Sequence, residues 1–380
     1  MSHAVENELL LSVARREVPS RAREQLDWDY VVATARAHGL LPLLQKHVGT
    51  SEFVPGAVLS CLKREAVANS QSMLHLAGKQ LRVYKLFKEH GIPVAIFKGA
   101  LLAQMAYGEM SLRQAGDIDM LIHSRDFAHA RQLLESLGYE MTPRLTPAQL
   151  SSHLSNHCEI QFMRDEWFTV IDLHWDLAPR SFVFGLRADE VMSRLQTVSL
   201  AGVDVETFGA EDLLLYQAMH GAKHLWRRLE WICSLAESVR AMDQIDWDAL
   251  INRAANARAT RMLALGLRLV EQFSDVPVPD RIFASIDRDA SMQRMAARIG
   301  AQIFNNFGYA DSTETNLYNL RIMDRKRDAV VSALRSIFVP TLPDWQALAL
   351  PSSLHPLYYA YRPLRLSKIY TAAILRNLRR

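Results

Sequence analysis

Hydrophobic positions fall into three regimes along the chain. Up to about residue 90 they recur at helical spacing: Leu9, Leu10, Val13 and Ala14, then Trp28, Val31, Val32, Ala35 and Leu40. Pro42 and the stretch from Gly49 to Pro55 read as turns. A long helix is predicted from about Gly56 to His90, stopped by Gly91 and Pro93. From Val94 short β-prone runs alternate with helices. Val94 to Phe97 is one run and Asp117 opens a second. Ser124 to Gly138 reads as a helix with Phe127, Ala130, Leu133, Leu134 and Leu137 as its buried stripe. Ile160–Met163 and Val170–Trp175 follow as a strand pair, and 195–208 as a hairpin turning at Gly202. From Ala210 the pattern is helical again, first to Trp226 and then in three helices over 246–305, with a loop at 311–315. The expected fold is α/β (α+β), a small mixed β-sheet with packed helices at 91–208. All-helical regions at 1–90 and 209–380 would flank it.

The passage from Lys98 to Ile122 carries the most chemistry. An apolar run ends at Lys98-Gly99, and Asp117 and Asp119 open the next strand. Side chains alternate between the faces of a strand, so these carboxylates share one face while Ile118 enters the other layer. Two like charges on one face repel unless a cation lies between them, and hard divalent cations take carboxylate oxygens. A lysine beside a glycine-opened helix start suits a phosphate partner for such a cation. Asp172 and His174 repeat the i, i+2 spacing on a later strand, so they also share a face. His157 precedes that strand pair and is expected to face the same cleft. His220 and His224 stand at i, i+4 on the last helix, a spacing open to a transition metal, although no Glu lies between them as in a protease helix.

Composition narrows the setting. The chain has 380 residues, 49% of them hydrophobic and 22% charged, which fits folded units and excludes a disordered chain. A balance of 44 basic and 41 acidic residues gives +3, too small for the whole protein to be a nucleic-acid binder. Cys61, Cys158 and Cys233 have no paired spacing for zinc or a disulfide framework, which points to a reducing, cytoplasmic setting. No stretch reaches membrane length.

Over roughly residues 90–240 the motifs resemble the uncharacterised bacterial nucleotidyltransferases of the DNA polymerase beta superfamily. The matching residues are Lys98-Gly99, an apolar helix, Arg113, Gly116-Asp117-Ile118-Asp119, then Asp172-Leu173-His174-Trp175. A third signature follows at His220, Lys223-His224 and Trp231-Ile232. The resemblance implies a nucleotidyltransferase core at 91–208 that moves a nucleoside monophosphate from an NTP to an acceptor, releasing pyrophosphate. It implies two Mg²⁺ (or Mn²⁺) ions on Asp117, Asp119 and Asp172, with Asp172 nearest the acceptor and able to take its proton. Lys98, Gly99, Ala100, Arg113, Gly116 and His174 are then the nucleotide-binding set, with Lys98 and the amides after Gly99 neutralising phosphates. His157, His220, Lys223 and Trp226 are possible substrate contacts, Trp226 by stacking on a base.

Two positions depart from the pattern. Gly99-Ala100 stands where the superfamily usually has Gly-Ser or Gly-Gly, and Ser234 stands near a common Asp. Acceptor classes left open are a small molecule, a peptide, a protein or an RNA. A toxin-like enzyme acting on tRNA or protein is one alternative, and a catalytically silent nucleotide-binding scaffold is another. After Asp344 the chain has no acidic residue, while Arg362, Arg365, Lys368, Arg376, Arg379 and Arg380 alternate with tyrosines. Such a basic C-terminal helix suits an acidic partner.

Overall fold

A computed structural model describes residues 3–17, 26–164, 169–242, 244–285, 289–304 and 312–377. The N-terminal quarter is helical, as α1 (Ala4–Ala14), α2 (Trp28–Ala37), α3 (Leu41–Val48) and α4 (Gly56–Glu89). Pro42 does not mark a turn. It sits in the first turn of α3, where a missing N–H costs nothing. The long α4 buries Met73, Leu76, Ala77, Gln80, Val83, Tyr84 and Phe87, a stripe at helical period.

The middle of the chain supplies β1 (Val94–Ile96), α5 (Gly99–Tyr107), β2 (Asp117–Ile122), α6 (Phe127–Ser136), β3 (Glu140–Thr142), α7 (Pro147–Asn156), β4 (Glu159–Arg164) and β5 (Thr169–His174). The five strands form one mixed sheet in the order β1-β2-β5-β4-β3. Only β2 and β5 run parallel; the other neighbours are antiparallel. A short α8 (Ala188–Met192) leads to a separate hairpin, β6 (Gln196–Leu200) and β7 (Val203–Thr207). The remainder is helical: α9 (Ala210–Lys223), α10 (Leu229–Ala241), α11 (Trp247–Asn256), α12 (Thr260–Ser274), α13 (Ala290–Gln302), α14 (Ser312–Ile322), α15 (Lys326–Phe338), α16 (Leu342–Ala347) and α17 (Tyr358–Asn377). The expected loop at 311–315 is therefore the first turn of α14 from Ser312 onward.

Strand alternation separates the two faces of the sheet. Ile96, Ile118, Met120, Ile122, Ile160, Phe162, Ile171 and Leu173 form one apolar layer with α4 and α6. Ala95, Phe97 and Leu121 join the opposite core, which contains Phe208, Leu213 and Tyr216. That core also holds Leu10 and Leu44 from the N-terminal helices and Leu265 from α12, so the two helical flanks share one apolar interior. The polar side chains of the sheet's second face are thus covered by α9.

The C-terminal helix is held by internal charge pairs. Arg362 and Arg365 both bind the buried Asp344 at 2.6 Å. These two arginines are committed inside the fold and do not present free charge to an acidic partner. Leu364 and Ile369 on the same helix stay exposed. Arg379 and Arg380 lie outside the described residues, as does the side chain of Arg376. No helix among the described residues is long and apolar enough to cross a membrane.

Candidate active site

The site starts from a register. Asp119 of β2 and Asp172 of β5 are direct partners across the parallel strand pair, with Asp117 opposite Val170. Paired residues on neighbouring strands point to the same face, so Asp117, Asp119, Asp172 and His174 form one cluster. On the next strand Glu159 is opposite His174 and Gln161 is opposite Asp172. Three aspartates and a glutamate therefore converge under α9.

Asp119 is the most enclosed of them, 1% exposed. Its Oδ1 accepts from the Lys98 ammonium at 2.7 Å and stands 3.0 Å from His174 Nε2. Burial works against its charge, but Lys98 and His174 together outweigh that and hold its pKa well below the usual carboxylate range. The same ion pair keeps the Lys98 ammonium well above its ordinary value despite desolvation. Asp172 has no such cation. Burial, reinforced by the Asp119 charge, pushes its carboxyl up to about 6. Asp117 is raised for the same two reasons, with Lys98 and Arg113 opposing. Asp119 Oδ2 and Asp172 Oδ1 are buried with no hydrogen-bond partner among the described residues. Buried anionic oxygens with no donor are costly, and oxygen-seeking divalent cations satisfy such atoms. The residues fit that class of ion.

The donor side lies at the start of α5. Gly99 has φ +63°, the left-handed conformation that glycine adopts freely. A side chain there would stand 3.6 Å from the Asp117 carbonyl and 3.7 Å from the Gln80 amide. The turn thus brings the first amides of α5, including that of Ala100, against the strand carrying the aspartates. Helix N-termini attract anions for this reason. Gly116 has open space around it and an unexceptional φ, so the fold gives no steric reason for glycine there.

Lys98 departs from the sequence expectation. Its ammonium is committed to Asp119 and sits 5.5 Å from the Phe97 and Tyr216 rings, so it does not stand open as a phosphate clamp. Arg113 is likewise engaged, 2.9 Å from the buried Glu230 of α10, while Asn69 holds the carbonyls of Ser111 and Arg113. It fixes the loop that delivers Asp117.

Helix α9 closes the site from above. Tyr216 and His220 lie one turn apart with stacked rings 6.0 Å apart, and His224 packs 4.7 Å beyond His220. Burial, then the charge of Lys98, hold His220 well below its ordinary pKa, so it is neutral near pH 7. Burial works against the Glu159 charge, but His174, Lys223 and Lys98 together outweigh it and lower that carboxylate's pKa.

Two expected contacts fall elsewhere. Helix α9 ends at Lys223, and Trp226 turns back with φ +50° into the helical core, 0% exposed. Its ring packs so closely on Gly221 and Gly266 that a Cβ at either would clash with it, so the benzo half of the indole is enclosed in the core. His157 stacks on His153 and lines a small cavity with Arg180, Arg335 and Arg362. Burial, with His153 beside it, pushes it down to about 4.

Sequence reasoning missed Glu159, Tyr216 and Gln80. His174 Nδ1 stands 3.1 Å from Glu159 Oε2 while its Nε2 faces Asp119, so the imidazole bridges two carboxylates. Period 2 gives the signal for Glu159, had the strand been started one residue earlier. Tyr216 was visible as the residue one turn before His220. Cys158 also approaches, its sulfur grouped with Glu159 and His174 atoms within 4.8 Å. Burial raises its pKa, so it remains a neutral thiol, a weak ligand beside the carboxylates.

The sequence profile of the uncharacterised nucleotidyltransferase family matches residues 24–275. The chain belongs to that family. The matched span runs from before α2 through α12 and includes every residue of the cluster just described. Family membership makes the chain an enzyme of nucleotidyl transfer. Among solved structures it is similar to the solution structure of the antibiotic-resistance factor ANT(2'')-Ia, at 14% identity. That alignment covers 48% of this chain and 89% of the other, with a TM-score of 0.32, too distant to carry residue roles. No curated protein matches the chain.

Proposed function

We propose that this family member is a metal-dependent enzyme that moves a nucleoside monophosphate from an NTP to a hydroxyl-bearing acceptor, releasing pyrophosphate. The observation that carries this reading is the in-register pair Asp119 and Asp172 with a buried, donorless oxygen on each. Asp117, Asp119 and Asp172 would hold the divalent ions, two Mg²⁺ or Mn²⁺. Bound there, such ions supply Lewis-acid charge beside the transferring phosphorus.

The chain's own residues supply the rest. The acceptor oxygen forms a bond to the α-phosphorus while the bond to the bridging β-phosphate oxygen breaks, and pyrophosphate leaves. Asp172, the carboxylate assigned to the acceptor side, would accept the acceptor's proton. The amides at Gly99 and Ala100 cradle the departing phosphates. Lys98 fixes Asp119 as a full anion and, with three N–H donors, keeps capacity beyond that one bond. Arg113 is a positioning residue through Glu230. His174 orients Asp119, with Glu159 behind it.

In this reading residues 91–208 carry the chemistry, 209–380 close over it and contribute Tyr216, His220 and Lys223, and 1–90 buttress both. A need for NTP supports the cytoplasmic setting expected from the sequence. Titration of the protein with Mn²⁺, followed by electron paramagnetic resonance, tests the assignment. Saturable binding that weakens at least about tenfold in Asp119→Asn and Asp172→Asn is expected, since each change removes one charged ligand. Binding unchanged in both variants would refute the metal assignment.

A further inference from the structure

A second concavity lies outside this cluster. It is a cavity of about 810 Å³ between the α9–α10 connection, α13 and α14. That volume is within the range of sites for small organic ligands. Four of its lining residues are arginines, namely Arg227, Arg294, Arg298 and Arg321, and no carboxylate lines it among the described residues. Arg294 and Arg298 are one turn apart on α13 and so face the same side. Arg294 and Arg321 expose their guanidinium groups at this opening, where an anion would be attracted.

The wall below the arginines is different in character. Trp226, Met295, Ile299 and Ile303 make it apolar, and Tyr318 comes from α14. Within this wall the Trp226 Nε1 and the Tyr318 hydroxyl are buried and have no hydrogen-bond partner among the described residues. Both are donors, and buried donors without acceptors are rare and costly. An acceptor entering the cavity would satisfy them. Cationic rim, apolar wall and two orphan donors together describe one kind of guest.

We propose that this cavity binds an amphipathic anion, an apolar body carrying a carboxylate or phosphate group. The charged group meets Arg294 and Arg321, while the apolar body lies against Met295 and Ile299. An oxygen of the guest accepts from Tyr318 or Trp226. The assignment stands independently of the carboxylate cluster, because none of its residues belongs to that set.

Calorimetric titration with octyl phosphate is the test, with inorganic phosphate, octanol and octyltrimethylammonium as comparison probes. Saturable one-to-one binding of octyl phosphate is expected, with the other three binding at least about tenfold more weakly, since each lacks the anion or the apolar body. The Arg294→Ala/Arg321→Ala variant should lose at least about tenfold in affinity, given two charge-assisted contacts removed. Both side chains are surface-exposed, so its melting temperature should match the parent. Tyr318→Phe should weaken binding severalfold without reversing the probe order. Asp119→Asn should bind octyl phosphate as the parent does, which separates this site from the metal cluster. No saturable binding, equal binding of octanol, or unchanged affinity in the double arginine variant would each overturn the proposal. Octanoate in place of octyl phosphate tells carboxylate from phosphate preference, and either result supports the anion site.

Discussion

Asp119 and Asp172 face one another across parallel strands, yet their surroundings drive their charges in opposite directions. Lys98 at 2.7 Å keeps Asp119 ionised, whereas Asp172 has burial and the Asp119 charge against it and titrates near 6. An ion bound between them would bring the second carboxylate down to join the first. The pair is poorly arranged for stability alone, and the proposed cation would relieve it.

Asp172→Asn should therefore stabilise the metal-free protein while removing transfer activity. The folded pKa of Asp172 is raised from 3.8 to about 6, so its favourable contribution is complete below about pH 4 and lost as pH rises through 6. The gain from the amide should be on the order of 1–2 kcal/mol at pH 8, allowing for partial exposure, and near zero at pH 4. Thermal melts at both pH values, without divalent metal, check this. An Asp172→Asn protein less stable than the parent at pH 8 would show that the carboxylate is a structural partner instead.

Lys98→Ala leaves Asp119 buried without its cation. A loss of about 3–5 kcal/mol is expected, the usual penalty for an orphaned buried charge. In Lys98→Ala/Asp119→Asn most of that loss should return. Denaturant unfolding of the two single variants and the double variant gives the coupling; additive losses would contradict the ion-pair account.

Trp226 separates packing from recognition. Trp226→Ala should cost about 3–5 kcal/mol as a large core deletion, and Gly221→Ala about 1–3 kcal/mol because its methyl would enter the indole. Trp226→Phe keeps much of that packing, and its KM for NTP should match the parent's. A rise in KM for one base only would restore the stacking role.

Much of this was legible in the sequence because period-2 and period-3.6 patterns are local. β1 (Val94–Ile96) lies in the apolar run 94–97, β2 starts at Asp117, the β-prone runs 160–163 and 170–175 fall on β4 and β5, and α4 ends at Glu89 before the Gly91–Pro93 stop. Placing Asp172 beside Asp119 rested on the family resemblance, since nothing local fixes the order β1-β2-β5-β4-β3. The misses are tertiary. Trp226 reads either as a base-stacking ring or as plain helix packing until the chain leaves the helix at His224 and folds the ring onto Gly266, forty residues on. The pairing of Lys98 with Asp119, twenty-one residues on, is likewise invisible until the fold brings them together. α7 passed unnoticed although Thr146 and Gln149 form a capping box around Pro147, because its surface carries no buried stripe.

The C-terminal helix should respond to acid. Asp344 is bound by Arg362, Arg365 and Thr341, which together outweigh burial and lower its pKa. Its contribution is full above the ordinary carboxylate value of 3.8 and is lost as pH falls through the lowered one. Amide exchange in α17 over Arg362–Ile369, corrected for intrinsic rate, should stay constant down to about pH 4 and accelerate below it. In Asp344→Asn it should be fast throughout, and equal protection in that variant would remove Asp344 as the anchor.

The central claim is that Asp117, Asp119 and Asp172 transfer a nucleoside monophosphate with divalent metal. Its most direct test is incubation of the protein with each α-³²P-labelled NTP, Mg²⁺ or Mn²⁺ and cell extract, resolving labelled product and pyrophosphate. Label moving to an acceptor with release of pyrophosphate, lost on chelation and reduced at least about a thousandfold in Asp119→Asn, is the expected result. Transfer that persists undiminished in both Asp119→Asn and Asp172→Asn would contradict the account.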